Sequence, residues 1–351
     1  MKILFFIHGL YGGGAERVAS ILLNHFCEKH ETYVAVKNFK APFYPLDNRV
    51  HIIDNRIKSK ITGAARIPRF VKMAQTIKNI KPDIIISFIT KTNNNALFAN
   101  LLFRKKIIIS ERNTLNSEQS KAQRLFRKLL YPLADRIVFV TTEDREKIGR
   151  TKNNLTIYNP TMFKSFADYN NREKTIVTIA PDSRWYQKGL DILIQAWDKI
   201  SPQNPEWNLE IHGRIYGKPL PDSITQQKQI RVLWKGWTDR MDIMLQTKSI
   251  FILASRYEGC PNSLIEAMSQ GCACIVTDCE GEQKVMVDDG IDGLVAKSGN
   301  VDDIAAKLQQ LIDDENLRRR LSAGAIEKVK QFDKNTFFAK WDKLIEEVAG
   351  K

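Results

Sequence analysis

Two carboxylates eight residues apart, Glu258 and Glu266, stand in the stretch of the chain richest in chemistry, residues 255–281 (SRYEGCPNSLIEAMSQGCACIVTDCEG). An apolar run at 249–253 ends in a loop containing Gly259, and a helix is predicted to start at about Pro261–Asn262. Proline suits a first helical turn and asparagine an N-cap. Either start leaves the backbone N–H groups of Asn262, Ser263 and Leu264 without intrahelical acceptors, and a strand, a glycine loop and a helix N-terminus in that order form a seat for phosphate. Leu264, Ile265 and Met268 are spaced to face a sheet, which leaves Glu258 and Glu266 able to turn toward one pocket. A carboxylate accepts hydrogen bonds from neighbouring hydroxyls, so a phosphate seat with two carboxylates suits a sugar nucleotide. The plain alternative is a solvated turn followed by a solvated helix face.

A second glycine-rich turn follows the first apolar run of the chain, residues 9–17 (GLYGGGAER). Gly12, Gly13 and Gly14 permit close backbone approach, and the helix that follows favours an anion. No G-x-G-x-x-G fits there, the next strand runs into Lys37 rather than an acid, and no Gly-Lys-Ser/Thr follows; this is neither the dinucleotide fingerprint nor a Walker loop. Two further apolar runs finish in polar residues, 84–95 (IIISFITKTNNN) and 107–114 (IIISERNT), and these ends carry Thr90, Glu111, Arg112 and Asn113. Polar strand ends are what an acceptor site requires.

The elements that must position these residues alternate short apolar runs with longer amphipathic ones. Strands are predicted at 3–7, 33–36, 51–53, 83–88, 106–110 and 136–140, with helical patterns at 16–28, 64–79, 94–103 and 120–131. The rhythm breaks at 158–172 (YNPTMFKSFADYNNR), a polar stretch that reads as a linker. It resumes with strands at 174–179, 208–212, 231–235, 249–253, 274–277 and 294–296, a helix at 189–200, and three terminal helices from Asp302, Glu315 and Asn335. Strands separated by helices give a parallel sheet covered on both faces. The expected architecture is α/β, two Rossmann-like doubly wound domains facing a central cleft, with ligands at the C-terminal strand edges.

Charge divides unevenly between the halves. Residues 1–165 carry 29 Lys and Arg against 12 Asp and Glu, whereas 166–351 carry 25 against 28, so the whole excess behind the net +14 lies in the first half. Arg56, Lys58, Lys60, Arg66, Arg69, Lys72, Lys78 and Lys81 crowd one segment, and Arg104, Lys105, Lys106 and the basic residues of 121–128 add to it. One domain is therefore expected to meet a polyanion, an anionic membrane surface or a lipid pyrophosphate. Nucleic acid is not expected, since aromatic residues are not interleaved with these clusters and no nucleic-acid motif occurs. No apolar run approaches the roughly 18 residues of a membrane span. The opening MKILFFIHGL reads as a buried strand rather than a signal peptide, which implies a cytoplasmic protein. Cys27, Cys260, Cys272, Cys274 and Cys279 make no Cys-x-x-Cys pair and read as buried thiols of a reducing compartment.

Glu258, Gly259, Pro261, Glu266, Ala267, Met268 and Gly271 match E-G-x-P-x-x-x-x-E-A-M-x-x-G, the signature of the family-4 retaining glycosyltransferases of GT-B fold, which the chain resembles over essentially its whole length. By that resemblance Glu258 contacts hydroxyls of the donor sugar and Glu266 grips the ribose of the nucleotide. Residues 185–190 (WYQKGL) resemble the segment where an Arg and a Lys neutralise the donor diphosphate; Lys188 matches the Lys, while the usual spacing puts the Arg at Ser183 and this chain has Arg184 one residue later. Residues 233–238 (LWKGWT) resemble the base-proximal loop, and G-G-A-E-R places Gly13 and Gly14 beside the diphosphate. The ends bearing Thr90, Glu111, Arg112 and Asn113 are similar to those of members that extend lipid-linked oligosaccharides, with Arg112 and Glu111 near the reaction centre. The resemblance implies an acceptor-binding domain over 1–160, a nucleotide-sugar domain over 161–333, and a helix at 334–351 packing back on the first. It also implies transfer of a hexose or N-acetylhexosamine from a UDP-sugar, without cofactor or metal, at the inner face of the cytoplasmic membrane. The rival readings are a sugar-nucleotide epimerase of the same fold, a non-catalytic glycan or polyanion binder, and a nucleic-acid-binding protein.

Overall fold

The computed structural model describes residues 1–350 except 39, 57–66, 113–120, 149–152, 218, 219, 227 and 229, and describes no side chains at 67, 68, 121–123 and 223. Two compact units divide the chain: Met1–Asn159 with Asn335–Lys351, and Pro160–Lys334.

The first unit contains β1 (Lys2–Ile7), β2 (Glu31–Val36), β3 (His51–Asp54), β4 (Ile84–Phe88), β5 (Lys106–Ser110), β6 (Arg136–Phe139) and β7 (Asn154–Thr156). The second contains β8 (Glu173–Ile179), β9 (Asn208–His212), β10 (Val232–Gly236), β11 (Lys248–Leu253), β12 (Ala273–Thr277) and β13 (Leu294–Ala296). Helices of the first unit are α1 (Gly14–Phe26), α2 (Ile67–Ile80), α3 (Thr90–Asn100), α4 (Lys121–Leu130) and α5 (Thr142–Lys147). The second unit holds α6 (Leu190–Ile200), α7 (Asp222–Thr225), α8 (Met241–Thr247), α9 (Asn262–Ser269), α10 (Gln283–Met286), α11 (Val301–Asp313) and α12 (Glu315–Val329), and α13 (Lys334–Ala349) leads the chain back into the first.

The two sheets are ordered β3-β2-β1-β4-β5-β6-β7 and β10-β9-β8-β11-β12-β13. The paired strands of each sheet are parallel, as where β1 sets Phe5 beside Val34 and Ile86, or β11 sets Ile250 beside Ile176 and Ala273. Each is the doubly wound order in which strand succession reverses once, between β1 and β4 and between β8 and β11.

Both faces of each sheet are buried at its centre, which is why central strands such as β1 and β11 are buried along their length rather than alternating with exposed residues. In β1, Ile3, Phe5 and Ile7 enter the core shared with α1 and α13, while Leu4 and Phe6 enter the core shared with α2 and α3. Phe337, Trp341, Leu344, Ile345 and Val348 recur at helical spacing along α13 and are all buried in the first of these cores. Each is worth about 1.5–3 kcal/mol of apolar burial. In the second unit, α6, α11 and α12 contribute Trp197, Leu308 and Leu321 to a core over Ile176, Ile250 and Ile275. Asn300 caps α11 by accepting from the N–H groups of Asp302 and Asp303, and Asp314 caps α12 through Leu317 N–H.

Three features differ from the sequence reading. The stretch at 158–172 is docked rather than loose from Pro160 on: Phe166 N–H donates to Ser269 C=O, Tyr169 OH to Ser249 C=O, and the Arg172 guanidinium to Lys248 C=O at 2.6 Å. Helix α3 starts at Thr90, four residues before the predicted start at Asn94, because the Asn93 amide finds partners in the first turn by donating to Ser110 C=O and to Glu111. The short, polar β7 carried no apolar signal and exists by pairing with β6.

Candidate functional site

Lys188 and Glu258 meet across the point where the second sheet reverses. Lys188 lies between β8 and α6, and Glu258 between β11 and α9, so the loops after two adjacent strands bring together residues 70 apart. Lys188 Nζ donates to Glu258 Oε1 at 2.6 Å, and Ser255 Oγ donates to the same oxygen at 2.8 Å. The two charged side chains are 11% and 8% exposed, so this pair is largely withdrawn from water. Its loops are locked by backbone contacts. Arg256 N–H donates to Gln187 C=O, and Glu258 N–H donates to Glu280 C=O, each within 3 Å. Gly189 has φ 62° and lies against the carbonyl of Ala254, where a Cβ has no room. Gly281, at φ 130°, approaches the carbonyl of Glu258 as closely.

A second ion pair ties the same two loops. Arg256 makes a bidentate contact with Asp191 on α6, at 2.8 and 2.7 Å, and its guanidinium lies 4.2 Å from the ring centre of Tyr186. Neither Ser255 nor the Asp191–Arg256 clamp was singled out in the sequence. Both sit within a few residues of Glu258 or Lys188, but their partners lie in the other loop, and sequence spacing alone does not pair them. Arg184 closes a 3-10 turn, Asp182–Arg184, and is exposed, in contrast to the enclosed Lys188.

Helix α9 starts at Asn262, with Pro261 as the N-cap, so the asparagine occupies the first helical turn instead of capping it. Leu264 N–H donates to Pro261 C=O at 3.1 Å. It is therefore withdrawn from the expected phosphate seat, which is reduced to the half-buried Asn262 and Ser263 with Gly259 before them. Glu266 is buried, and Leu264, Ile265 and Met268 are fully enclosed as their spacing required. The five cysteines are buried, and burial lifts the Cys272 thiol to about 11.

In the first unit Gly13 caps α1 and Gly14 is its first residue. The carboxylate of Glu16 folds back over Gly13, so the anion nearest this helix start is the chain's own. Glu111, at the end of β5, is fully buried. It accepts from Thr90 Oγ1 at 2.9 Å, from Asn93 Nδ2 at 3.3 Å, and from the hydroxyl of Tyr131. Burial lifts its carboxyl to about 7 despite these donors. Arg112 is buried as well, donating to Asn159 Oδ1 at 3.0 Å and lying over the rings of Phe88 and Trp341. Thr90 and Glu111 thus form one network, Arg112 joins a separate one at the end of the first segment, and Asn113 lies outside the described residues. Asn93 and Tyr131 complete the Glu111 network and were missed, since a helix residue and a turn tyrosine carry no signal of converging on one carboxylate. Ile89, just before Thr90, holds φ 72°, a strained value for a β-branched residue, at the junction that delivers Thr90 to Glu111.

Two doubly wound sheets, with paired charges over the switch point of the second, define the GT-B class of architecture. Residues 162–328 match the family model of glycosyl transferases group 1, which spans nearly the whole second unit. The chain is similar along its length to a Campylobacter jejuni GalNAc-alpha-(1->4)-GalNAc-alpha-(1->3)-diNAcBac-PP-undecaprenol alpha-1,4-N-acetyl-D-galactosaminyltransferase, with 26% identity covering 99% of each protein. It is also 26% identical to the amylovoran biosynthesis glycosyltransferase AmsD of Erwinia amylovora, covering 98% of this chain and 99% of that one. Among solved structures, Anabaena HepE in complex with UDP matches with a TM-score of 0.81 at 19% identity, over 99% of this chain and 100% of its own. The chain is a glycosyltransferase of GT-B fold.

Proposed function

We propose that this glycosyltransferase moves a hexose or N-acetylhexosamine from a UDP-sugar to a lipid-linked glycan, with retention of configuration and without a metal. The observation that carries the reading is the enclosed Lys188–Glu258 pair beside the start of α9. A lysine held there supplies fixed positive charge where charge develops on a departing diphosphate. In the proposed step the bond from sugar C1 to the diphosphate oxygen breaks, and its electron pair leaves with that oxygen. The acceptor hydroxyl oxygen bonds to C1 on the same face, and its proton passes to the departing phosphate. Lys188, with Arg184 at the rim, stabilises the leaving group. Glu258 holds sugar hydroxyls and Glu266 the ribose, while Gly259 and the N–H groups of Asn262 and Ser263 offer hydrogen bonds to phosphate. In the first unit Arg112, with the Thr90–Glu111 network, shapes the acceptor side. UDP as the nucleotide is supported by the fold likeness to the Anabaena protein crystallised with it, and a lipid diphosphate acceptor by the name of the Campylobacter relative.

The membrane part of the reading has support in the first unit. Among the described residues no helix is long and apolar enough to cross a membrane. Leu102, just beyond α3, and Leu125, Phe126 and Leu129 on α4 are nonetheless more than half exposed. The sequences of α2, α3 and α4 contain basic residues and no acid. An apolar surface among basic residues suits the headgroup region of an anionic bilayer on the cytoplasmic side.

The test is thermal stability against UDP-, GDP-, ADP- and TDP-sugars with and without EDTA, then transfer with the sugar that binds. A UDP-sugar shift that survives EDTA, followed by transfer giving a product of unchanged anomeric configuration, is expected. Loss of transfer in EDTA, or an inverted product, would refute the metal-free or retaining part respectively.

A further inference from the structure

The first unit contains a cavity of about 600 Å³ at the carboxyl ends of β1, β2 and β3, walled by α2 and the start of α3. Phe6, Ile7, Ala35 and Met73 form its apolar floor. Its charged lining comes from successive elements: His8 after β1, Lys37 after β2, Arg56 after β3, Arg69 on α2 and Lys91 on α3. Arg56 is neutralised locally, its guanidinium bonding both oxygens of Asp54 at 2.9 and 2.6 Å. Lys37, Arg69 and Lys91 have no such arrangement. Burial lowers the pKa of Lys37, and Arg69 and Lys91 lower it further; no carboxylate counters them. His8 is likewise held below its ordinary value by burial and then by Lys37, Arg69 and Lys91. Among the described residues none of these three cations forms an ion pair.

Like charges gathered in a recess over an apolar floor repel one another, and an anion seated among them relieves that repulsion. A carboxylate carries one charge on two oxygens. A diphosphate carries charge on each phosphorus and presents acceptor oxygens over a longer span, which suits donors arriving from three separate elements. Asn38 and Asn95 line the same space, held in place by His8 and by the Lys91 carbonyl respectively, and add neutral polar groups to the lining. Among the described residues of the lining none is acidic.

We propose that this cavity binds a diphosphate, and, resting on the transferase reading, that the diphosphate is the one carried by the lipid-linked acceptor. Lys37, Arg69 and Lys91 are then specificity residues for the acceptor, apart from the Lys188 site of the second unit.

The experiment is direct binding to the full chain of inorganic pyrophosphate, farnesyl diphosphate and farnesol, with UDP binding measured in parallel. Wild type is expected to bind both diphosphates in competition with each other, more weakly as salt rises, and to ignore farnesol. Lys37→Ala with Lys91→Ala is expected to weaken both diphosphates by about tenfold or more while leaving UDP binding by the second unit and the melting transition of the first unit unchanged. Equal diphosphate affinity in wild type and double variant would overturn the cavity assignment and leave the transferase reading standing. Pyrophosphate that binds without competing with farnesyl diphosphate would overturn the lipid acceptor. A chain that binds diphosphates through these lysines yet takes up no sugar nucleotide would overturn the transferase reading and keep the cavity.

Discussion

Replacing Lys188 by Met removes one partner of an ion pair whose side chains are 11% and 8% exposed. Glu258 is then left with the single hydroxyl of Ser255, 2.8 Å away. A buried carboxylate deprived of its cation costs about 3–5 kcal/mol. At about 2–4 °C per kcal/mol for a unit of this size, the melting transition of the second unit is expected to fall by about 6–20 °C. Adding Glu258→Gln removes the stranded charge and keeps a group that can accept from Ser255, so the double variant is expected to recover most of the loss. Tryptophan fluorescence in a urea titration reads this unit well, because Trp185, Trp197, Trp207, Trp234 and Trp237 lie in it and only Trp341 in the other. Transfer behaves differently: both variants lack the cation proposed to face the leaving group, and that loss is expected to cost about 10²–10³ in kcat whatever the stability. If Lys188→Met is destabilised by less than about 1 kcal/mol, or the double variant is no more stable than the single, the pair is not the buried interaction argued here. If the stable double variant transfers sugar at the wild-type rate, Lys188 does not serve the leaving group.

The Glu111 carboxyl, lifted by burial from 4.5 to about 7, makes the first unit pH-dependent in a defined direction. Below about pH 4.5 both states are protonated; between there and about 7 only the unfolded chain ionises, so stability falls as pH rises, by about 3 kcal/mol in all, and then levels off. Glu111→Gln is expected to abolish that slope in calorimetry, and an unchanged slope would remove Glu111 as its source. Ile89→Gly relieves about 1–3 kcal/mol of backbone strain at φ 72° and gives up comparable burial, so it is expected to unfold within about 1 kcal/mol of wild type. Ile86→Gly, inside β4 and fully buried, is expected to cost about 3–5 kcal/mol, and equal losses at the two positions would refute strain at Ile89. Gly281→Ala drives a Cβ into the Glu258 carbonyl and is expected to abolish stabilisation by a UDP-sugar while the first unit melts as before; retained binding would show that this loop tolerates the shift.

The fold was legible because doubly wound sheets bury both faces at their centre, which turns a central strand into an apolar run such as residues 3–7. The site was legible where it rests on one segment, and less so where it rests on meetings of segments. Glu258, Gly259 and Glu266 lie in a single loop and helix, and their spacing is local information. That Lys188 bonds Glu258 follows from the adjacency of β8 and β11, which the residues themselves do not state. Leu264 was misjudged for a different reason: a proline N-cap shortens the first turn, so its N–H is spent on Pro261 C=O. The glycine triplet was read as room for a ligand, whereas part of that room accommodates Glu16. The charge excess of the first half was visible as composition, but its division into an exposed basic helix surface and three cations gathered around one cavity needed coordinates.

The two sheets share one strand order, and each places its charged residues at the strand pair where that order reverses, yet they treat positive charge in opposite ways. After β8 and β11 the lysine is matched: Lys188 bonds Glu258, and Arg256 bonds Asp191. After β1 and β4, and on the neighbouring β2 and α2, Lys37, Lys91 and Arg69 stand together without an acid. A matched lysine must exchange one anion for another when a diphosphate arrives, which holds ground-state binding down and reserves its field for charge that grows during the reaction. Unmatched cations favour the bound anion outright and serve affinity. A donor that must be activated and an acceptor that must only be held call for these two arrangements.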